Sequence, residues 1–274
     1  MARDRGSDRV LDLVRDAVHV ESGPERLPAG DRAAIVASWG PGPEVSRSLA
    51  ALVTSLDTAG YPSVVVRASD DPSPLIWPSP LPASTIVVRK PNIGYDFGSW
   101  AVGLDRFRGL AKRRHVILVN DSMVGPFEPL TEMISAFERA RTDAWAATST
   151  AQIYPHLQSY LLGFHGGMLA DSAVRQFWRS VRHLDDKSLI IEEYELGLYD
   201  LLQSEGFTTS AWYPSERVVS PAENPVINGW RKLIDLGFPF VKREVVVNPS
   251  VTQDARTAPA VVRERFGVDV AEWL

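Results

Sequence analysis

Ala33-Ala34-Ile35-Val36-Ala37, then Gly40-Pro41-Gly42-Pro43, then Val45, Leu49, Leu52, Val53 and Leu56, then Gly60 and Ser63-Val64-Val65-Val66, form the stretch that decides the fold. The two apolar runs read as strands buried on both faces. Between them apolar residues recur every three or four positions, the spacing of one helix face, and Gly60 closes that helix. Strand, helix and strand in succession make a βαβ unit, which implies a parallel sheet with helices across its faces.

The same alternation continues along the chain. Past a Pro-rich loop over 70–82, Thr85-Ile86-Val87-Val88 reads as a third strand, and 97–110 as a helix with Trp100, Leu104 and Phe107 on one stripe. Val116-Ile117-Leu118-Val119 is a fourth strand, followed by a helix over 129–140 and a strand over 144–148. The segment 156–164 is β-like. Val174, Phe177, Trp178 and Val181 mark a helix that Asp171 can cap, 193–205 a helix ended by Gly206, and 225–236 another helical stretch. The expected fold class is α/β: a Rossmann-like, mostly parallel sheet flanked by helices, in a single domain over 31–250. Residues 1–30 read as an N-terminal extension, with a loose helix bearing Val10, Leu13, Val14 and Ala17 that stays outside the core. Residues 251–274 read as a C-terminal tail, a short helix at best.

With 274 residues, 45% of them apolar and 23% charged, the chain has ample material for a core. A formal charge of −5 argues against a nucleic-acid partner, whose recognition rests on clustered Lys and Arg. No apolar run approaches the roughly 18 residues of a spanning helix, and no apolar segment of a secretory signal opens the chain. The absence of cysteine excludes disulfides, thiolate zinc sites and a cysteine nucleophile. A cytoplasmic location is expected, with peripheral association at the inner face of the membrane left open.

Four clusters carry candidate chemistry. Ligands of open α/β sheets bind beyond the carboxyl ends of the strands, and Asn120-Asp121-Ser122 stands where the fourth strand stops. Asp121 can supply a carboxylate to Mg²⁺ or Mn²⁺, since hard cations take oxygen ligands, with Asn120 or Ser122 assisting. An Asp bonding the amides of the following turn explains the same residues. After the third strand, Arg89, Lys90, Asn92, Gly94 and Asp96 precede a helix, whose N-terminus favours phosphate. Gly94 and Gly98 let backbone approach a ligand closely. A polar turn with Asp96 as N-cap accounts for them as well.

Glu192-Glu193-Tyr194-Glu195 opens a helix, where paired carboxylates suit general-base work but are also favoured by the helix dipole. Lys242-Arg243 offers two cations for a leaving diphosphate, or for solvent. His156 lies near Gln158 and Ser159 and can touch a ligand, although the five histidines show no metal-ligand spacing.

In order along the chain, Asn92-Ile93-Gly94-Tyr95-Asp96-Phe97-Gly98-Ser99-Trp100, Leu118-Val119-Asn120-Asp121-Ser122 with Gly125-Pro126, His156-Leu157-Gln158-Ser159-Tyr160, Tyr194-Glu195 with Gly206-Phe207, and Asn224-Pro225 through Glu244 resemble the rhamnan synthesis F family. That resemblance covers residues 33–245. It implies a GT-A-like fold and transfer of a sugar, rhamnose for this family, from a nucleotide-diphosphate donor to a glycan or lipid-linked glycan acceptor in bacterial cell-surface polysaccharide synthesis.

A wider similarity to inverting GT-A enzymes implies inversion and sets Glu193 on the catalytic acidic position. Arg89, Asn92, Gly94 and Asp96 would then hold the nucleotide, and Asn120, Asp121 and Ser122 the diphosphate, Asp121 through a divalent cation. Lys242 and Arg243 would stabilise the leaving group, and His156, Gln158 and Ser159 would lie near sugar or acceptor. The chain departs from those enzymes in having one carboxylate where they carry Asp-x-Asp, and no histidine after His183. The rival readings are transfer of a nucleotidyl or phosphoryl group, and a non-catalytic nucleotide- or glycan-binding module on the same fold.

Overall fold

The computed structural model describes residues 8–274. Residues 1–7 of the expected N-terminal extension lie outside the described residues. In chain order the elements are α1 (Val10–Leu13), β1 (His19–Ser22), β2 (Arg32–Trp39), α2 (Arg47–Thr58), β3 (Ser63–Ala68), β4 (Ile86–Lys90), α3 (Tyr95–Arg106), β5 (His115–Asn120), β6 (Met123–Val124) and α4 (Thr131–Arg139). Then follow β7 (Ala144–Thr150), β8 (His156–Leu157), β9 (Leu161–His165), α5 (Ser172–Arg179), α6 (Lys187–Ile190), a π-helical turn (Ile191–Leu196) and α7 (Gly197–Ser204). The chain closes with β10 (Thr209–Tyr213), α8 (Pro225–Asn228), α9 (Trp230–Asp235), β11 (Val241–Lys242), α10 (Arg243–Val247) and α11 (Ala258–Phe266).

The sheet runs β1-β4-β3-β2-β5-β9-β7-β10, with β8 added on β7. β2, β3, β4 and β5 are mutually parallel, as the opening βαβ unit predicts. β9 lies antiparallel between β5 and β7, and β10 runs parallel to β7. From β2 the chain moves outward to β3 and β4 on one side and returns to β5 on the other. The gap beyond the carboxyl ends of β2 and β5 is therefore the point where strand order reverses, the crevice in which open α/β sheets bind ligands.

Strand alternation divides the core between the two faces. Ala33, Ile35 and Ala37 of β2 face α3 with Val64 and Val66, while Ala34, Val36 and Val65 face α2 and α4. Val and Ile side chains here are fully buried, each contributing about 1.5–3 kcal/mol relative to exposure. Ser46 caps α2 by accepting from the Leu49 amide, and Asp171 caps α5 as expected.

Both chain ends depart from expectation. Val10 and Val14 are 0% and 1% exposed and belong to the core, and β1 extends the sheet as an antiparallel edge on β4. Val10 fits because Gly94 and Gly98 lack side chains: a Cβ at Gly94 would stand 2.4 Å from a Val10 methyl. The apolar spacing of α1 is too short to read as a core helix, and its partners are two glycines that periodicity does not show. At the other end, Ala255, Ala258, Val262, Val270 and Trp273 form a third cluster with Val124, Trp230, Ile234, Val241 and Val245. That cluster backs the two-stranded pair β6–β11, so residues 251–274 are packed structure rather than a tail.

Candidate active site

At the carboxyl ends of β2 and β5 the side chains turn polar. Oδ2 of Asp121 accepts from Oγ of Ser38 at 2.7 Å and from the Trp39 amide at 3.2 Å. Ser38 in turn accepts from Arg67 at 2.7 Å, and the Arg67 guanidinium lies 3.9 Å from Asp121. Arg67 is buried at the end of β3, and it also donates to the carbonyls of Trp39, Gly42 and Glu44. One buried cation thus fixes both the loop after β2 and the carboxylate after β5. Burial pushes the Asp121 carboxyl up, against the bonds from Ser38 and Trp39 and the charges of Arg67 and Arg243.

On the other face of the same strand end runs a relay of hydrogen bonds. Lys242 Nζ donates to Ser122 Oγ at 2.8 Å, Ser122 Oγ to Asn120 Oδ1 at 2.6 Å, and Asn120 Nδ2 to Asp96 Oδ2 at 2.7 Å. The β6–β11 pair brings Lys242 there, and the Arg243 amide donates to the Ser122 carbonyl. Burial, and next the charge of Asp121, push the Asp96 carboxyl up to about 6, while Asn120, Lys242 and Lys90 pull against them. A buried carboxyl raised by the charge of a second carboxylate, with cations close by, makes a site whose charge state responds to a ligand.

A second polar group acts on Lys242 through its charge. Glu195, on the π-helical turn, accepts from Nε2 of His156 at 3.2 Å, from the Ser159 amide at 2.7 Å, and from the Ser159 hydroxyl. Burial alone would raise the Glu195 carboxyl, but these bonds and the His156 charge outweigh it and hold it below the usual range. Burial would lower His156, and its bond to Glu195 prevails and raises it. Glu195 and Asp96 both hold up the pKa of Lys242 against its burial, so the two groups act on one ammonium.

The predicted site residues divide accordingly. Asp96, Asn120, Asp121, Ser122, Lys242 and Arg243 converge on the strand ends, and His156 and Ser159 gather on Glu195. Asn92 is exposed at the rim, its amide held by Asp70. Arg89 is buried instead in an ion pair with Glu21 at 2.5 Å and in bonds to the carbonyls of Asp71 and Ser73, so it ties β1 and the Pro-rich loop to β4. The space over Gly94 is filled by Val10, which corrects the expectation of close ligand approach. Gln158 is buried, accepting from Thr148 and donating to Asn224, the cap of α8. Glu193 is exposed on the π-helical turn. Asp96 does not cap α3; Gly94 holds that position.

Sequence reading passes over Ser38, Trp39 and Arg67. An arginine directly following Val64-Val65-Val66 is the one signal for Arg67, and it is visible only when the strand is carried past Val66, as it is in β3. Among the described residues no three His, Asp or Glu side chains gather as a metal-ligand group.

A family model for rhamnan synthesis protein F matches residues 83–267. The chain belongs to the rhamnan synthesis protein F family. That match takes in Asp96, Asp121, His156, Glu195 and Lys242, and leaves β2 and β3, with Ser38, Trp39 and Arg67, outside it. Virulence protein VirA of Vibrio anguillarum (strain ATCC 68554 / 775) is 30% identical over 198 residues, which are 60% of this chain and 63% of VirA. Uncharacterized protein y4gN of Sinorhizobium fredii (strain NBRC 101917 / NGR234) is 27% identical over 158 residues, 55% of this chain and 40% of that protein. The chain therefore spans less than two thirds of the length of either relative. No helix among the described residues is long and apolar enough to cross a membrane.

Proposed function

We propose that this domain is an inverting glycosyltransferase that moves a sugar, rhamnose by the name of its family, from a nucleotide-diphosphate donor to a glycan or lipid-linked glycan acceptor on the cytoplasmic side of the membrane. The observation that carries this reading is the Lys242–Ser122–Asn120–Asp96 relay beside Asp121 at the switch point, with the charge of Glu195 acting on the same ammonium. A buried ammonium at a strand end is suited to the charge of a departing diphosphate, because a preformed cation in a water-poor site needs no reorganisation. The wall of Glu195, His156 and Ser159 is where the transferred sugar meets the acceptor hydroxyl.

In the reaction the acceptor oxygen attacks the anomeric carbon from the face opposite the diphosphate. The carbon–oxygen bond to the diphosphate breaks, and the hydroxyl proton passes to a carboxylate. Glu195 is a carboxylate whose charge reaches Lys242, and its three donors keep it ionised and fixed. Glu193, favoured by similarity to inverting enzymes, stands in solvent.

A divalent cation fits this donor set in a limited way. Asp121 and Asp96 are two carboxylates whose repulsion a cation would relieve, and with no third ligand gathered among the described residues Mg²⁺ or Mn²⁺ would lean on the donor's phosphates. When bound, it would add positive charge against the diphosphate. A thermal-shift panel of nucleotide sugars, with and without Mn²⁺, tests the reading: a donor that binds the folded state raises Tm by mass action. No shift with any nucleotide sugar would contradict it.

A further inference from the structure

Along β2 every residue from Ala33 to Ser38 is buried, yet Trp39, the last, is 54% exposed. Its backbone is held firmly all the same. The Trp39 amide donates to Asp121, and its carbonyl accepts from buried Arg67, which also holds the loop that follows through Gly42 and Glu44. A fixed backbone with a bare indole is an arrangement that folding alone does not call for, because burying a Trp ring is worth more than leaving it wet.

The ring's side of the sheet is known. Ala33, Ile35 and Ala37 belong to the face covered by α3, and Trp39 continues that alternation. Ala37 is in register with Asn120, so Trp39 stands one step beyond the relay that joins Asn120 to Asp96. α3 begins at the same edge with Tyr95, which is 45% exposed and has φ of 51°. A bulky non-glycine residue in that left-handed region is strained, and such strain persists where surrounding structure holds it, often at ligand sites. Two exposed rings thus neighbour the polar groups of the switch point, Trp39 through its amide bond to Asp121 and Tyr95 through the adjoining Asp96 on Asn120.

The polar groups give this crevice a direction. Trp39 bonds Asp121 itself, while Lys242 bonds the next residue, Ser122, and carries the charge effect of Glu195. We propose that Trp39 is the stacking platform for the nucleobase of the donor, with Tyr95 as a second ring beside it. The inference rests on the donor reading given above, in which the diphosphate lies at Asp121 and Lys242 and the sugar at Glu195. The end of the donor beyond the diphosphate then reaches Trp39. A planar base offers a π-face to the indole whatever its identity, so the platform fixes the ligand as a nucleotide without selecting one base.

Calorimetric titration of the full chain with nucleoside diphosphates (UDP, dTDP, GDP and ADP) and with inorganic pyrophosphate, for wild type, Trp39→Phe and Trp39→Ala, tests the proposal. Loss of a base–aromatic stack on alanine substitution predicts nucleoside diphosphate affinity about 5- to 150-fold weaker in Trp39→Ala. Trp39→Phe retains most of the affinity, and pyrophosphate binding is the same in all three proteins. Because the ring is exposed, circular dichroism should show both variants folded. Nucleoside diphosphate affinity unchanged in Trp39→Ala, or an equal loss for pyrophosphate, overturns the platform and leaves the donor reading standing. Wild-type protein that binds pyrophosphate but no nucleoside diphosphate more tightly overturns the platform as well. Wild-type protein that binds neither contradicts the donor reading itself, and the platform with it.

Discussion

Oδ2 of Asp121 accepts a 2.7 Å hydrogen bond from Oγ of Ser38, joining the end of β5 to the end of β2 across the point where strand order reverses. Ser38 also accepts from Arg67, so the carboxylate, the hydroxyl and the buried guanidinium form one unit. Asp121→Asn keeps an oxygen that can accept from Ser38 and loses the charge. Its fold should hold while transfer falls by about 100-fold or more, on the scale of removing one preorganised electrostatic contact. Asp121→Ala also leaves the Ser38 hydroxyl and the Trp39 amide without their acceptor and Arg67 without its nearby opposite charge, and should cost about 1–3 kcal/mol. Denaturant midpoints and product formation, measured on both variants, separate the two effects.

The shortage of protein ligands makes a prediction about metal. With Asp121 and Asp96 as carboxylates at the site and no third ligand gathered among the described residues, Mn²⁺ alone should leave Tm almost unchanged. Mn²⁺ with a nucleoside diphosphate should raise Tm more than the nucleotide does by itself, and Asp121→Ala should erase that increment. A large shift from Mn²⁺ alone would point to a preformed metal site.

Glu193 and Glu195 are two residues apart and face different surroundings. Glu195→Gln should lower kcat about 10²- to 10⁴-fold, the usual range for a lost acid–base group, with donor affinity little changed. Glu193→Gln should behave like wild type. The opposite ranking, measured by initial rates at saturating donor, would return the base to Glu193.

Asp96 carries a stability cost that depends on pH. Its folded-state pKa, about 6, lies above the ordinary carboxylate value, so between about 4 and 6 the folded chain binds more protons than the unfolded one. Stability from this group therefore falls as pH rises through that window. Asp96→Asn keeps an oxygen for Asn120 to donate to and removes the buried charge. The variant should be more stable than wild type above pH 6, with the advantage fading towards pH 4, as thermal melts across that range would show.

The C-terminal segment offers a test of the packing. Trp273 is 7% exposed in the cluster that backs β6 and β11, and the Arg47 guanidinium lies 5.0 Å from its ring centroid. Trp273→Ala should cost about 3–5 kcal/mol, whereas the same change in a loose tail would be nearly silent. Chemical denaturation distinguishes the two.

The sheet was legible in the sequence because β2, β3, β4 and β5 are buried on both faces and announce themselves as apolar runs. Asp121 was legible because it stands where the run of β5 stops. Burial inside a polar context was not. Arg89 and Arg67 occupy similar places at neighbouring strand ends, yet Arg89 is taken up by Glu21 and two carbonyls of the chain while Arg67 reaches Asp121. Composition cannot tell those fates apart. Glu193 and Glu195 share a turn, and only the packing of β8 and β9 decides that the second meets His156 and Ser159. Gly94 looked like room for a ligand because nothing in its neighbourhood names Val10, more than eighty residues away in the chain, as the occupant.

The central claim is transfer of a sugar from a nucleotide-diphosphate donor, and product analysis tests it most directly. The chain is incubated with dTDP-, UDP- and GDP-sugars and an acceptor glycan, and the released nucleotide and the anomeric configuration of the product are read by chromatography and NMR. The account predicts nucleoside diphosphate released in step with a glycoside of inverted configuration, and both lost in Lys242→Ala. Release of nucleoside monophosphate instead, or tight nucleotide binding with no transfer to any acceptor, would contradict it.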